Sequence, residues 1–304
     1  MREVYTGIDI GTYHVKVVIC AASESAESPM HIIGTGTASS RGMRHGYIID
    51  RAEAVKSIRE ALDRAQTAAK TRVRSARVAV GGIGLDEIRS SGATTLTATG
   101  GIVTEAAIER AKRESEKEAR SRLINRNIIH TIPLSYKIDG QEVLGQPNDL
   151  QGTKLTVDTL IITMLSQHYD DLIEAVETAG VEVEGVMASP LAASLVTLTR
   201  AQKMAGVCLA NIGSETLAVV VFDNDIPLSV KVFPTGASDI TAGWATFPQS
   251  SHTFTGLISE TTYYAQVRAR NFQNLESSFK FLYNFSVPSY RPIQPLKVAI
   301  NHPN

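Results

Sequence analysis

The sequence predicts an α/β fold spread over two domains. Three observations carry that reading. Short apolar, β-branched runs alternate with amphipathic helical stretches along the chain. Two of these runs form hairpins of the same layout, strand, glycine turn, strand, separated by most of the chain. The length, 304 residues, exceeds what one hydrophobic core usually serves.

The first hairpin is built on Gly7-Ile8-Asp9-Ile10-Gly11-Thr12-Tyr13-His14-Val15-Lys16. Apolar runs over 4–10 and 15–20 flank a Gly-Thr break. Gly11 lets a ligand approach the backbone, and clustered N–H groups at a tight turn suit phosphate oxygens. Lys16 adds a positive charge, and Asp9 is placed to hold a Mg²⁺-bound water. The same spacing also suits an ordinary N-terminal hairpin with one buried face.

Residues 23–29 are small and polar and read as a turn; 32–37 form a third strand, and 41–46 a loop. Asp50 opens a helix with Glu53 three residues on, and Val55, Ile58, Leu62 and Ala65 make its apolar stripe. A strand over 76–80 ends in Gly81-Gly82-Ile83-Gly84. The dinucleotide-binding pattern fails there, because Glu87 stands where a third glycine is needed. The glycines therefore read as a hinge into an inserted unit. Thr104 caps a helix running to about residue 123, whose alternating charges (Glu109, Arg110, Lys112, Arg113, Glu114, Glu116, Lys117) mark a solvated face. A strand over 127–138 carries Pro133 and reads as an edge. Asp139-Gly140 is a turn and 155–164 a further strand. Gly152-Thr153-Lys154 lacks the P-loop spacing. A helix over 167–179 stops at Gly180, a strand spans 181–187, and Pro190 sits in the first turn of a helix over 191–200. Then comes the second hairpin: a strand over 206–212, the turn Gly213-Ser214-Glu215-Thr216, and a strand over 217–222. Asn224-Asp225 turns the chain into a third strand over 228–233.

Composition narrows the function classes. A net charge of −1 leaves no basic footprint for nucleic acid. Cys20 and Cys208, far apart in apolar runs, read as two buried thiols of a reducing compartment. No apolar run reaches the length of a transmembrane helix, and the N-terminus enters a strand with no signal peptide. The seven histidines are scattered, with no H-E-x-x-H, C-x-x-C or G-x-S-x-G pattern; His130 reads as structural.

Together these residues resemble the actin/Hsp70/sugar-kinase superfamily, and within it the bacterial cell-division family FtsA. Asp9-Ile10-Gly11-Thr12 with Lys16 resembles the first phosphate motif. Asn211-Ile212-Gly213-Ser214-Glu215-Thr216 stands where the second belongs. Ile129-His130-Thr131-Ile132-Pro133, Tyr136, Ile138-Asp139-Gly140, Pro147 and Gly152 resemble the subdomain inserted in FtsA. Ser40-Arg41-Gly42-Met43 with Gly46 resembles its loop after the third strand, and Ser189-Pro190-Leu191-Ala192 its connecting helix. The likeness covers residues 1–241.

The resemblance implies an actin-like (RNase H-like) ATPase fold. The first domain falls at 1–82 and 163–187, the FtsA-type insert at 83–162, and a partial second domain at 188–241. It implies ATP and Mg²⁺ as cofactors, held by Asp9 (also the metal residue), Gly11, Thr12, Tyr13 and Lys16 from one side. Asn211, Gly213, Ser214, Glu215 and Thr216 hold them from the other. It further implies self-association, FtsZ and other divisome proteins as partners, and a cytoplasmic location at the membrane face of the division site. Neutral Asn211 replaces the family's aspartate and is the weaker Mg²⁺ partner. Glu215 adds a carboxylate beside the phosphates, repulsive unless it points away. At most a weak ATPase follows.

Residues 242–304 shift to Ser, Thr, Phe and Tyr and lack the family's membrane helix. The run Phe254-Thr255-Gly256-Leu257, Thr261, Tyr263, Val267-Arg268-Ala269 and Asn271 weakly resembles half of a fibronectin type III module. The stretch reads as strands propping a truncated second domain, of fused or chimeric origin. Two other functions stay open: a non-catalytic scaffold like the actin-like proteins of pilus assembly, and a small-molecule phosphotransferase of the same fold, for which no general-base aspartate stands in a motif.

Overall fold

A computed structural model describes residues 3–22, 30–97 and 100–236, together with the backbone of four later strands. The stretch 23–29 and the side chains of the fibronectin-like spacing lie outside the described residues.

The first sheet has the order β11-β6-β1-β2-β3. Its strands are β1 (Val4–Ile10), β2 (His14–Ala21), β3 (His31–Ser39), β6 (Ser75–Val80) and β11 (Glu182–Ala188). β1, β2 and β3 form an antiparallel meander; β6 and β11 join it in parallel. Strict alternation decides which face is which. Ile8, Ile10, Val15, Val17 and Ile19 point into a core closed by α1 (Arg51–Ala69) and α3 (Ser166–Thr178), against Ile58, Leu62, Leu172 and Val176. Burial of each such Ile or Leu contributes about 1.5–3 kcal/mol. The opposite face carries Asp9 and Lys16, register partners across the hairpin. α1 begins where Asp50 accepts the Glu53 N–H at 3.1 Å. It lies so close on β3 that a Cβ at Gly36 would stand 2.0 Å from the Ala61 carbonyl oxygen.

The inserted unit is a sheet of order β7-β10-β8-β9, made of β7 (Leu85–Thr95), β8 (Arg126–Ile138), β9 (Gln141–Val143) and β10 (Lys154–Leu165). α2 (Glu105–Arg120) packs on it through Ala107, Ile108 and Ala111, against Leu155, Val157, Tyr136 and Ile138. β9 covers β8 only over Tyr136–Ile138, so Pro133 does lie on an open edge. His130 accepts the Ala188 N–H at 3.0 Å, which ties β8 to the end of β11; burial holds its pKa below the ordinary histidine value.

The second sheet runs β14-β13-β12-β18-β15, with β12 (Val207–Ile212), β13 (Leu217–Asp223), β14 (Ile226–Phe233), β15 (Ser251–Phe254) and β18 (Leu296–Asn301). Its first three strands form an antiparallel meander and β18 joins β12 in parallel. The order and directions of β3-β2-β1-β6 thus recur in β14-β13-β12-β18. The fifth position differs: β11 is parallel to β6, whereas β15 is antiparallel to β18. A separate pair, β16 (Thr262–Ala265) and β17 (Tyr283–Ser286), is antiparallel. The 191–200 helix of the sequence reading is two helices, α4 (Ser189–Thr197) and α5 (Arg200–Met204). Thr199 and Gln202 form a capping box that restarts the chain.

The 41–46 loop is more regular than expected. β4 (Met43–Arg44) and β5 (Tyr47–Ile48) pair as a small hairpin around His45-Gly46. Both turn residues have positive φ, 49° and 84°, as type I′ hairpin turns require.

Candidate functional site

The two hairpin turns close with the same hydrogen bond. Gly11 N–H donates to the His14 carbonyl at 3.1 Å, and Gly213 N–H donates to the Thr216 carbonyl at 2.8 Å. Asp9 and Asn211 stand two residues before these glycines. Their cross-strand partners are Lys16 and Ala218. The first hairpin therefore carries a carboxylate and an ammonium at positions where the second carries a neutral amide and a methyl group.

The His45-Gly46 turn joins them. Gly46 N–H donates to Thr12 Oγ1 at 3.2 Å, and His45 N–H donates to Glu215 Oε2 at 2.6 Å. The His45 ring sits 3.1 Å, by Nδ1, from the Glu215 carbonyl oxygen. Behind the turn, Ile83 N–H donates to the His45 carbonyl, and a Cβ at Gly46 would fall 2.4 Å from the Gly82 Cα. Tyr47 stacks face to face on His168 of α3, ring centroids 3.3 Å apart. The glycines at 81–84 are thus packed against this turn, which ties down the hinge read from sequence.

Burial raises the Asp9 carboxyl above the ordinary carboxylate range, with Lys16 opposing. A desolvated carboxylate beside a lysine and a glycine turn fits a hydrated Mg²⁺ and phosphate oxygens. No group of three or more His, Cys, Asp or Glu side chains gathers among the described residues. A cation at Asp9 would draw its other ligands from water and phosphate. Tyr13 lies outermost, 68 % exposed, with its ring edge-on to His14. On the second side, Glu215 does not point away from the neighbouring hairpin; its carboxylate is taken up by the His45 N–H.

A second contact between units was not legible as a site. Glu87, the residue that spoils the glycine pattern, caps the edge of β14. It accepts from Val230 N–H at 2.6 Å and Ser229 Oγ at 2.7 Å. Lys231 Nζ lies 3.0 Å from Asp86. Burial pushes Asp86 up, yet hydrogen bonds from Lys231 and the Glu87 N–H outweigh it and lower its pKa. Leu85 and Ile162 of the insert share a core with Leu209, Val220, Phe222 and Val230 of the second sheet. Cys20 and Cys208 are both free; burial pushes the Cys208 thiol up to about 12, which keeps it inert.

Comparison with known proteins agrees with this architecture. Residues 84–163 match the family described as the SHS2 domain inserted in FtsA. Cell division protein FtsA of Bacillus subtilis (strain 168) is 31% identical over 241 residues, 79% of this chain and 53% of the relative. FtsA of Escherichia coli (strain K12) is 28% identical over 241 residues, 79% of this chain and 56% of the relative. The chain spans about half the length of these curated relatives. A solved structure of the PilM-PilN type IV pilus biogenesis complex superposes with a TM-score of 0.57 at 17% identity, covering 79% of this chain and 64% of that one. No helix among the described residues is long and apolar enough to cross a membrane. With the insert, the mirrored sheets and these relatives together, the chain is an FtsA-like protein of actin-like ATPase fold.

Proposed function

We propose that this chain is an actin-like cell-division protein that binds ATP with Mg²⁺ in the cleft between its two hairpins. One observation carries the reading: two turns of identical closure meet a single loop, His45-Gly46, that bonds to both. Asp9 holds a Mg²⁺-bound water. Lys16 and the amides of Thr12 and Tyr13 take phosphate oxygens on one side, past Gly11, whose own N–H closes the turn and whose missing side chain leaves room for them. Gly213, Ser214 and Thr216 form the opposite wall, from which the Glu215 side chain reaches across to the His45 N–H, with Asn211 as a weak outer ligand. The domain division that serves this is 1–82 with 163–187, an insert over 83–162, and 188–241. By likeness to FtsA, the protein self-associates and links the FtsZ ring and other divisome proteins to the cytoplasmic face of the membrane. Its ATPase activity is at most weak, because Asn211 is a poor metal partner.

A second reading, a non-catalytic scaffold of the pilus-assembly kind, is favoured by the neutral pair Asn211 and Ala218. Titration of the chain with ATP, with and without Mg²⁺, separates the two. Mg²⁺-dependent binding, followed by ATP-dependent co-sedimentation and binding of an FtsZ tail peptide, supports the first. No measurable ATP binding overturns it in favour of the scaffold.

A further inference from the structure

We infer that Glu215 is an internal stand-in for a nucleotide phosphate, a carboxylate that occupies the His45 amide until a phosphate displaces it. The inference rests on the nucleotide reading above and adds a third phosphate-contacting element to it. His45 and Gly46, the left-handed turn residues of the β4–β5 hairpin, point two successive N–H groups at the two neighbouring hairpins, one at Glu215 and one at Thr12. The first of these already holds a carboxylate: His45 N–H to Glu215 Oε2 is 2.6 Å, short as bonds to a charged acceptor are. The second is held by the Thr12 hydroxyl of the first turn. An anion at the His45 amide therefore lies between the two turns.

The position of Glu215 supports displacement over permanence. Glu215 is the third residue of the second turn; its counterpart in the first turn, Tyr13, is 68 % exposed and makes no such bridge. The His45 ring lies 3.1 Å from the Glu215 carbonyl oxygen and 4.0 Å from its carboxylate; the shorter, carbonyl contact keeps the turn held when the side chain swings out. A phosphate and a carboxylate cannot share one amide without strong repulsion. ATP binding in the wild-type chain is therefore weakened by the need to expel Glu215. Binding of adenosine, which has no phosphate, is indifferent to it.

The test compares ATP and adenosine affinities of the full chain as wild type, Glu215→Gln and Glu215→Ala, with hydrogen exchange at the His45 amide followed in each without nucleotide. The expected result is ATP affinity at least about tenfold higher in both variants, adenosine affinity unchanged, and faster His45 exchange in Glu215→Ala. Equal or weaker ATP binding by the variants, with the wild type still binding ATP, overturns the stand-in and leaves the nucleotide site intact. Absence of ATP binding in all three chains overturns the nucleotide reading itself, and the stand-in with it.

Discussion

Asp9 faces Lys16 across the first hairpin; Asn211 faces Ala218 across the second. The turns between them close alike, and each hairpin is flanked by a parallel strand, β6 on one side and β18 on the other. Backbone geometry is therefore common to both, and charge belongs to one. The lesson is that a fold can repeat its turn without repeating its chemistry, since the turn depends on glycine and strand pairing while the chemistry depends on two side chains. On the proposed nucleotide reading, the charged hairpin would grip the ligand and the neutral one would only shape the cleft.

The loop that meets both hairpins offers the most severe way to break the arrangement. Gly46 has φ of 84°, and a Cβ there would lie 2.4 Å from the Gly82 Cα. Gly46→Ala combines left-handed strain with backbone overlap and should cost about 3 kcal/mol. Urea unfolding followed by circular dichroism checks this. Gly140→Ala is the matched control, because Gly140 has φ of 85° with open space around it. It should cost only about 1 kcal/mol. Equal losses in the two variants would mean that the loop is not packed against residues 81–84.

Next in size is the double variant Asp9→Asn with Lys16→Ala, which gives the first hairpin the charges of the second. ATP affinity should fall about 100-fold, near 2.7 kcal/mol, and its dependence on Mg²⁺ should vanish. Calorimetric titration reads both. The reverse exchange, Asn211→Asp with Ala218→Lys, should gain about tenfold, near 1.4 kcal/mol. It gains less because Glu215 still competes for the cleft. Loss of affinity in the reverse exchange would show that the second wall needs neutrality.

The hairpins, their glycine turns and the insert motifs were legible because they are local: apolar alternation, Gly-Thr and Gly-Ser breaks, a capping Asp50. Other parts were not, for physical reasons. β7 runs Leu85-Asp86-Glu87-Ile88-Arg89-Ser90-Ser91-Gly92 without apolar alternation, and its pairing comes from β10 along its whole length. The His45-Gly46 turn acts through backbone N–H groups, which no side-chain motif reports. β18 meets β12 as Val207↔Lys297 across a long sequence separation, so its place in the sheet has no local signature. Glu87 interrupts a glycine pattern in the sequence, and only the fold shows that it holds Ser229 and Val230 at the β14 edge.

The smallest expected effect sharpens the comparison from the side of stability. Burial raises the Asp9 pKa above its unfolded value. A carboxylate shifted in that direction is harmless below the ordinary carboxylate range, where it is protonated in both states. It costs stability as pH rises through the folded pKa, where the half-buried, desolvated group must ionise. Asp9→Asn should therefore raise the melting temperature of the nucleotide-free chain by a few degrees at neutral pH. The gain should shrink toward zero as pH falls to about 4. Asn211→Asp should do the reverse at the second hairpin, lowering the melting temperature at neutral pH. Melting curves from pH 4 to 8 read both variants side by side. If Asp9→Asn instead lowers stability at neutral pH, the ion pair with Lys16 outweighs desolvation. The charge at the first hairpin would then support the fold as well as the ligand.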